Sequence, residues 1–308
     1  MLPALRQGPR RTRRFRIVHL SDLHLQADTR GLGFSDTGWH RALPRLELEK
    51  LGRGRRYEGA RACLERIALE VDALSPDLVL VSGDLTALAL EQEFHAARDV
   101  LVDLSARRRP VVVVPGNRDR LAPGGPDSRM FEEHLVDLVR SDLPRHADAS
   151  GYPFVRLLGD DLAVVGLDST RVPSYAGYVF GRLGDDQLAR LDALLADPAL
   201  ASRSVAVMVH HAPLDAQGRR NPFSGGLIDG ARLLEVTAGR CVSLFCGHVH
   251  ARYRVAAAAG RPEVFCGGSA TERGSEGYWV IDLEDRRVVS AEQFVPEWTD
   301  AGEDRRVA

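Results

Sequence analysis

Five short polar clusters follow apolar segments in this 308-residue chain. Their aspartate, asparagine and histidine side chains offer carboxylate, amide and imidazole ligands, which suit Mn²⁺, iron or Zn²⁺ rather than a soft metal held by thiolates. Even seven of these nine side chains are more ligands than one catalytic ion can take while it keeps a position open, so they predict two ions that share one carboxylate. In chain order the clusters are Asp22-Leu23-His24, Gly83-Asp84, Gly116-Asn117-Arg118-Asp119, His210-His211 and Gly247-His248-Val249-His250.

The segments in front of these clusters are rich in β-branched residues and have the length of buried strands. Apolar residues at helical spacing lie between them. In an open α/β sheet the carboxyl ends of the strands form the edge where ligands bind, so we expect the polar clusters to converge there. The predicted strands cover residues 15–19, 78–81, 111–114, 162–167, 205–209 and 242–246, and the predicted helices cover residues 57–74, 91–105, 127–140 and 185–195.

The alternation of strands and helices predicts a layered α/β fold with a largely buried sheet. After residue 250 the pattern changes to short strands between turn signals, which predicts an antiparallel second half. We find no internal repeat and no Ser/Gly linker, so we expect one domain over residues 14–296, with a basic N-terminal tail at 1–13 and a C-terminal tail at 297–308. The short strands are expected at residues 253–257, 264–266, 278–283 and 288–294.

The composition narrows the class of protein. The formal net charge is −2, from 41 basic and 43 acidic residues, which argues against a broad surface for nucleic acid. No apolar run approaches the ~20 residues that span a bilayer, and no apolar signal-peptide core follows the basic start of the chain. The four cysteines show neither zinc-like pairing nor a disulfide framework. We therefore expect a reduced, cytoplasmic, soluble protein that does not bind nucleic acid.

The ordered set D-x-H, G-D, G-N-x-D, H-H and G-H-x-H resembles the calcineurin-like metallophosphoesterase superfamily. The phrases HLSDLHL, PDLVLVSGDLT, VVVVPGN and GHVH are similar to its bacterial phosphodiesterase branch, and the resemblance extends from about residue 15 to residue 295. It implies a four-layer α/β/β/α sandwich with a dinuclear metal site at the carboxyl ends of the strands.

The resemblance also implies which residues bind each ion. Asp22, His24 and His250 match the ligands of one ion. Asn117, His210 and His248 match the ligands of the other, and Asp84 matches the ligand that bridges them. His211 matches a position that faces the substrate or supports the ligands, and a purely structural role is the alternative. The resemblance favours Mn²⁺, with iron or Zn²⁺ as alternatives.

Two ions about 3.5–4 Å apart can share a hydroxide, lower its pKa and stabilise the phosphoryl oxygens during an in-line displacement. This chemistry needs no covalent enzyme intermediate. We therefore expect a metallophosphoesterase that hydrolyses a small substrate with a phosphodiester or phosphoanhydride bond by means of a metal-bridging hydroxide.

Arg118 departs from the superfamily pattern, which usually has histidine there as the proton donor to the leaving group. Arginine has a pKa above 12 and cannot act as a useful acid, but its planar charged group can bind phosphate oxygens. An alkoxide leaves poorly without an acid, whereas a phosphate monoester, with a second pKa near ~6, can leave as the anion. Arg118 therefore favours phosphoanhydride cleavage. The alternatives are that His211 is the acid, or that activity is lost.

The GNRD sequence around Arg118 is similar to the motif of UDP-2,3-diacylglucosamine pyrophosphatases, which split a UDP-linked lipid into UMP and a lipid sugar phosphate. That family has His-Gly-Asp where this chain has His211 and Ala212 after His210. The leading hypothesis is thus a pyrophosphatase of a nucleotide-linked or lipid-linked substrate. The alternatives are a 3′,5′-cyclic nucleotide phosphodiesterase and a non-catalytic scaffold that retains the fold.

An insert at residues 31–56 separates the first two clusters. An apolar surface with a basic rim beside a phosphate site can receive an acyl chain or rest on an anionic membrane. The arginine-rich N-terminus adds to the membrane hypothesis, which places the protein at the inner membrane face, and a solvated loop is the alternative. The insert interleaves Phe34, Trp39, Leu43, Leu46, Leu48 and Leu51 with Arg41, Arg45, Arg53, Arg55 and Arg56.

Overall fold

The computed structural model describes residues 13–30, 34–170, 179–220 and 225–296. Both predicted tails lie outside the described residues, except for Arg13 at the end of the N-terminal tail. Residues 31–33 of the insert also lie outside them. The division into one domain and two tails stays a prediction. Within the described part of the chain, no helix is both long enough and apolar enough to cross a membrane.

Two mixed β-sheets form the centre of the fold. The first has the strand order β11-β10-β1-β2-β3, and the second has the order β4-β5-β6-β7-β9-β8. The strands are β1 (Phe15–Leu20), β2 (Leu78–Val81), β3 (Val111–Val113), β4 (Phe154–Leu158), β5 (Leu162–Gly166), β6 (Ser204–Met208), β7 (Ser243–Cys246), β8 (Arg252–Val255), β9 (Glu263–Gly267), β10 (Tyr278–Glu284) and β11 (Arg287–Phe294).

The helices are α1 (Phe34–Glu49), α2 (Ala60–Leu74), α3 (Glu91–Leu104), α4 (Met130–His134), α5 (Asp185–Leu195) and α6 (Gly230–Thr237). Residues of α2, α3 and α4 pack against the first sheet, and residues of α5 and α6 pack against the second. A 3-10 turn at Arg53–Tyr57 connects α1 to α2.

The side-chain alternation of the strands explains the layers, because successive residues of a strand point to opposite faces. In β2, Val79 and Val81 belong to the apolar cluster that includes residues of α2 and α3, whereas Leu78 and Leu80 belong to the cluster between the two sheets. Residues of α5 and α6 share a third cluster with the second sheet. Each fully buried apolar side chain of this size contributes about 1.5–3 kcal/mol. The predicted α/β fold with two sheets between helices is confirmed.

Three features differ from the sequence prediction. The segment expected to be helical at 127–140 contains only the short helix α4, because the chain then turns back so that Asp142 donates its backbone N–H to Val155 in β4 (2.8 Å). The second half is not wholly antiparallel, since β9 pairs in parallel with β7. Helix α1 lies where no helix was predicted. Its sequence includes Pro44, which usually breaks a helix.

Candidate metal centre

The polar clusters meet where parallel strands of the two sheets end. Asp22 and His24 follow β1, and Asp84 follows β2. Asn117 comes after β3, His210 after β6, and His248 and His250 after β7. The predicted metal ligands are therefore brought together, and most of their surface is buried.

The backbone at this edge adopts an uncommon conformation. Five candidate ligands have positive φ, which costs a residue other than glycine about 1–3 kcal/mol and persists only where the surroundings enforce it. Backbone hydrogen bonds enforce it here, since Asp22 donates to Gly83 (2.9 Å) and His24 donates to Asp84 (3.0 Å). Such strain concentrates at functional sites. The φ angles are 53° for Asp22, 43° for His24, 52° for Asp84, 71° for His248 and 54° for His250.

Two glycines allow the loops to approach closely. A Cβ atom at Gly116 would overlap the backbone and carboxylate of Asp84. One at Gly247 would overlap the Ser21 hydroxyl and the Asp22 carboxylate. Glycine is therefore required at both positions for the carboxylates to reach the centre.

Asp22, His24 and His250 form the first group of ligands. The Nε2 atom of His250 lies 3.2 Å from Asp22 Oδ1 and 3.1 Å from His24 Nε2. His24 Nε2 also lies 3.7 Å from Asp84 Oδ2. Burial lowers the pKa of His24 well below its ordinary value, so its ring is neutral and can bind a cation.

Asn117, His210 and His248 form the second group. His210 Nε2 lies 3.2 Å from Asn117 Oδ1 and 3.2 Å from His248 Nδ1. It also lies 3.5 Å from Asp84 Oδ1. The two oxygens of Asp84 thus face different groups, Oδ2 towards the first and Oδ1 towards the second. This arrangement supports the predicted role of Asp84 as a shared ligand.

Backbone carbonyl groups fix two of the imidazole tautomers. His210 Nδ1 lies 2.7 Å from the Ser82 carbonyl oxygen, and His248 Nε2 lies 3.0 Å from the Val179 carbonyl oxygen. A carbonyl oxygen only accepts, so these nitrogens carry the protons and the other nitrogen of each ring presents a lone pair to the centre. Burial lowers the pKa of His248 to about 3, which keeps this ring neutral.

His250 is held by a different partner. Its Nδ1 donates to Glu272 Oε2 at 2.6 Å and lies 3.1 Å from the Tyr57 hydroxyl oxygen. Burial disfavours its charged form, but Asp22 and Glu272 outweigh burial and raise the pKa of His250 to about 9. A metal ion that binds Nε2 must therefore displace a proton from this ring. Neither Tyr57 nor Glu272 was predicted from the sequence as a residue of the site, because neither belongs to one of the five polar clusters.

The residues of the centre fit a pair of divalent cations. Asp22 Oδ1 is buried and faces the Nε2 atoms of His250 (3.2 Å) and His24 (3.8 Å), so it lies where an ion bound by both rings would meet a carboxylate oxygen. The surrounding donors are carboxylate and amide oxygens and imidazole nitrogens, as borderline or hard cations prefer. Two sets of ligand atoms that could hold an ion share Asp22.

Arg118 lies at the rim of the centre and is 8 % exposed. Its backbone N–H donates to Asp84 Oδ1 at 2.7 Å, and its Nη2 donates to Glu47 of α1 at 3.0 Å. Its Nε is buried and has no hydrogen-bond partner among the described residues. Burial lowers the pKa of this guanidinium, but the ordinary pKa of arginine is so high that the group stays charged near neutral pH.

His211 lies beside the second group of ligands. Its ring centre is 4.3 Å from that of His248, and its Nδ1 lies 2.8 Å from the Ser169 hydroxyl oxygen. Its Nε2 is buried and lacks a partner in the described part of the chain. Burial lowers the pKa of His211 well below its ordinary value.

Asp119, the last residue of the GNRD motif, holds two loops together. It accepts hydrogen bonds from the backbone of Gly116 (2.9 Å), Thr86 (3.0 Å) and Leu85 (3.2 Å). Burial raises the pKa of this carboxyl to about 6. Asp119 therefore positions the loops that carry Asp84 and Asn117.

A cavity of about 460 Å³ opens beside the centre. The insert lines one side of it mainly with charged side chains, so the cavity does not have the character of an acyl channel. Leu43, Leu46 and Leu51 are exposed on the insert. The lining residues are Glu47, Leu51, Arg53, Arg56, Tyr57, Asp84, Asn117, Arg118, Val179, His248, His250 and Glu272.

Replacing Glu272 by glutamine is expected to weaken binding of the ion held by His250 by about 10–100-fold, the usual effect of altering a partner of a metal ligand. Glutamine can still accept the hydrogen bond from Nδ1, but it removes the negative charge that strengthens the imidazole as a ligand. Titration of metal-free protein with Mn²⁺ measures the affinity. Glu133→Gln, at an exposed glutamate of α4, is the control, and equal affinities in both variants would contradict the prediction.

Comparisons with known proteins agree with this geometry. The family model for calcineurin-like phosphoesterases matches residues 15–252. The chain is 33 % identical over 199 residues to the glycerophosphodiester phosphodiesterase GpdQ of Enterobacter lignolyticus, covering 61 % of this chain and 62 % of that protein. It is 28 % identical to a probable cyclic nucleotide phosphodiesterase of Synechococcus, covering 57 % of this chain and 58 % of that protein. The matched region thus spans less than two thirds of either relative.

Solved structures resemble the fold over nearly all of this chain. A dimetal phosphatase from Danio rerio has a TM-score of 0.59 at 15 % identity, covering 92 % of this chain and 99 % of that one. The protein TT1561 of Thermus thermophilus has a TM-score of 0.53 at 15 % identity, covering 92 % and 99 %. At these identities the resemblance concerns the fold alone.

Proposed function

Since the chain belongs to the calcineurin-like phosphoesterase family, we propose that it is a metal-dependent hydrolase that cleaves a phosphoanhydride bond in a nucleotide-linked substrate. The observation that carries this proposal is the buried Arg118, which lies beside Asp84 and Asn117 and whose Nε has no partner in the part of the chain that the structure describes. The family membership favours an enzyme over a non-catalytic scaffold.

In this proposal Asp22, His24 and His250 bind one divalent ion. Asn117, His210 and His248 bind the second ion, and Asp84 binds both ions. When bound, two such ions supply an activated water and positive charge for the phosphoryl oxygens. Mn²⁺ is the proposed metal, because carboxylate and amide oxygens together with imidazoles suit it, and iron and Zn²⁺ are the alternatives.

Arg118 binds phosphate oxygens of the substrate through its charge and its planar set of N–H donors. It cannot protonate a leaving group near neutral pH. A leaving group that is itself a phosphate monoester, with a second pKa near ~6, departs without a proton. This difference supports phosphoanhydrides over esters with an alkoxide leaving group.

A UDP-2,3-diacylglucosamine-like pyrophosphate is the proposed lipid-linked form of the substrate. The charged cavity suits the nucleotide and the two phosphates, and the acyl chains would lie against the exposed Leu43, Leu46 and Leu51 of the insert. Contact of this surface with an anionic membrane stays a prediction, which sedimentation with anionic and zwitterionic vesicles checks.

The second candidate is a phosphodiesterase that acts on cyclic nucleotides or other diesters with an alkoxide leaving group. The two phosphodiesterase relatives favour it. It requires a proton donor other than Arg118, and His211 is the candidate because its Nε2 has no partner within the described ranges.

A substrate panel tests the proposal. Protein loaded with Mn²⁺, iron or Zn²⁺ is assayed against a UDP-linked diacyl sugar, UDP-N-acetylglucosamine, a 3′,5′-cyclic nucleotide, a glycerophosphodiester and bis-p-nitrophenyl phosphate, with chelator-treated protein as the control. We expect metal-dependent release of UMP, with kcat/KM for a UDP substrate above that for the cyclic nucleotide and the glycerophosphodiester. Turnover of either diester without release of UMP would overturn the proposal and favour the second candidate.

A further inference from the structure

Arg53 and Arg118 share one carboxylate oxygen at the cavity. Glu47 Oε2 lies 3.0 Å from Arg118 Nη2 and 3.4 Å from Arg53 Nη1. Arg53 comes from the 3-10 turn of the insert, whereas Arg118 comes from the loop after β3. Both side chains line the cavity that Asp84, Asn117 and two candidate histidine ligands also line.

The charges on this wall of the cavity are unequal. Besides Glu47, two carboxylates line the cavity: Asp84 is a candidate metal ligand, and Glu272 hydrogen-bonds to His250 (2.6 Å) and pairs with Arg56 (3.1 Å). Glu47 is therefore the carboxylate that serves both Arg53 and Arg118, and each guanidinium can bind a carboxylate or phosphate through two donors. The pair retains positive charge for an anionic ligand.

The Nε donor of Arg118, which has no partner among the described residues, also indicates a ligand. A buried N–H group without a partner is destabilising, and more so when it is charged. An anion with several acceptor oxygens would satisfy Nε and could replace Glu47 on Nη2. A single carboxylate oxygen shared between two arginines does not provide as many acceptors.

The element that carries Glu47 is anchored to the body of the protein. Arg41, on the same helix, is buried and donates from Nε to the Leu88 carbonyl oxygen at 2.7 Å and from Nη2 to the Ala89 carbonyl oxygen. The Thr29 hydroxyl donates to Glu49 at 2.7 Å. The insert therefore presents Glu47 and Arg53 from a held position, which makes the arrangement a preformed subsite.

We propose that Arg53 and Arg118 form a subsite for a second phosphoryl group of the substrate, and that Glu47 occupies this subsite when no substrate is bound. The inference rests on the proposed phosphohydrolase function and specifies its substrate class. The preferred substrates carry a second phosphate next to the phosphate that is cleaved. Simple diesters lack the group that displaces Glu47.

The test compares two substrates in each variant. UDP-N-acetylglucosamine has the second phosphate and bis-p-nitrophenyl phosphate lacks it, and their ratio of kcat/KM measures the preference. Arg53→Ala is expected to lower this ratio at least about tenfold, mainly through the KM of the UDP substrate, since it removes one charge-assisted contact to the second phosphate. Glu47→Gln is expected to lower that KM, because it removes the competing charge. Arg55→Ala, at an exposed arginine of the same turn, is the control and is expected to keep the wild-type ratio.

Binding is measured separately from turnover, with a methylene-bridged analogue of UDP-N-acetylglucosamine and Mn²⁺-loaded protein. Weaker binding to Arg53→Ala than to Arg55→Ala supports the subsite, even where neither substrate is hydrolysed and the proposed function fails. Equal binding to these two variants, or an equal loss of activity on both substrates, would overturn the subsite while leaving the hydrolase intact.

Discussion

Replacing Asp84 by alanine is expected to remove both metal ions and to lower kcat by about 10³-fold or more. The two oxygens of this buried carboxylate face different ligand groups, Oδ2 towards His24 (3.7 Å) and Oδ1 towards His210 (3.5 Å). Loss of the shared ligand weakens both sites at once, and a bound metal contributes several kcal/mol to stabilising a phosphoryl transition state, with each 1.4 kcal/mol worth a factor of ten. Metal content by mass spectrometry and turnover of the best substrate of the panel measure the two effects.

Asn117→Ala is the matched comparison for Asp84→Ala. Asn117 belongs to the second ligand group, where its Oδ1 lies 3.2 Å from His210 Nε2, so its loss is expected to release one ion and leave the other. Circular dichroism and thermal unfolding establish that both variants are folded. Retention of an ion by folded Asp84→Ala at the affinity of Asn117→Ala would contradict the bridging role of Asp84.

Replacing Arg118 by histidine is expected to shift the enzyme towards substrates with an alkoxide leaving group. The imidazole would supply the missing general acid, which typically contributes 10²–10⁴-fold, so we expect a gain of about 10²-fold or more on a glycerophosphodiester or a cyclic nucleotide. The gain should decline as the pH rises through about 6.5, because only the protonated imidazole donates. The same change removes the charged donors aimed at the phosphoryl group and is expected to lower kcat/KM for the UDP substrate at least about tenfold.

Arg118→Lys separates charge from geometry. Lysine keeps the positive charge but lacks the planar set of donors, so it is expected to reduce activity on the UDP substrate without the gain on alkoxide substrates. The backbone hydrogen bond from residue 118 to Asp84 does not depend on the side chain, so both variants leave that contact in place. If the pH profile and the substrate ratio of Arg118→His matched those of the wild type, the leaving-group argument would be wrong.

The relatives support the class of reaction in these predictions, and the structure supports the choice of substrate. The phosphodiesterase relatives describe the class of chemistry, which is hydrolysis of a phosphate ester by a family that uses two divalent ions. The residues around Arg118 bear on which ester or anhydride is cleaved. Glu47 and Arg53 both lie in the insert between the first two motifs, and Glu47 contacts both Arg53 and Arg118. The variants of Arg118 and of Arg53 are therefore both compared on a UDP substrate and a simple diester.

Most of the fold could be predicted from the sequence, because it follows from local patterns. The run Leu78–Val81 alternates between the two faces of its sheet, and each residue is buried as its apolar character requires. Helix α5 begins and ends where its apolar spacing predicts. Helix α1 was missed because Pro44 contradicts it locally, while contacts such as that of Arg41 with Leu88 hold it in the tertiary structure.

The sequence by itself determined the family and the candidate metal ligands. Each ligand follows the end of a strand, and parallel strands bring their ends to one edge within a sheet. The packing of the two sheets then brings the ligands after β1, β2 and β3 together with those after β6 and β7. The tertiary structure decided which oxygen of Asp84 faces which group and which side chains surround Arg118. Glu47 lies 71 residues before Arg118 in the chain, and Glu272 lies 22 residues after His250. Such pairs have no period or spacing to read, because they arise only when packed elements bring distant side chains within hydrogen-bonding distance.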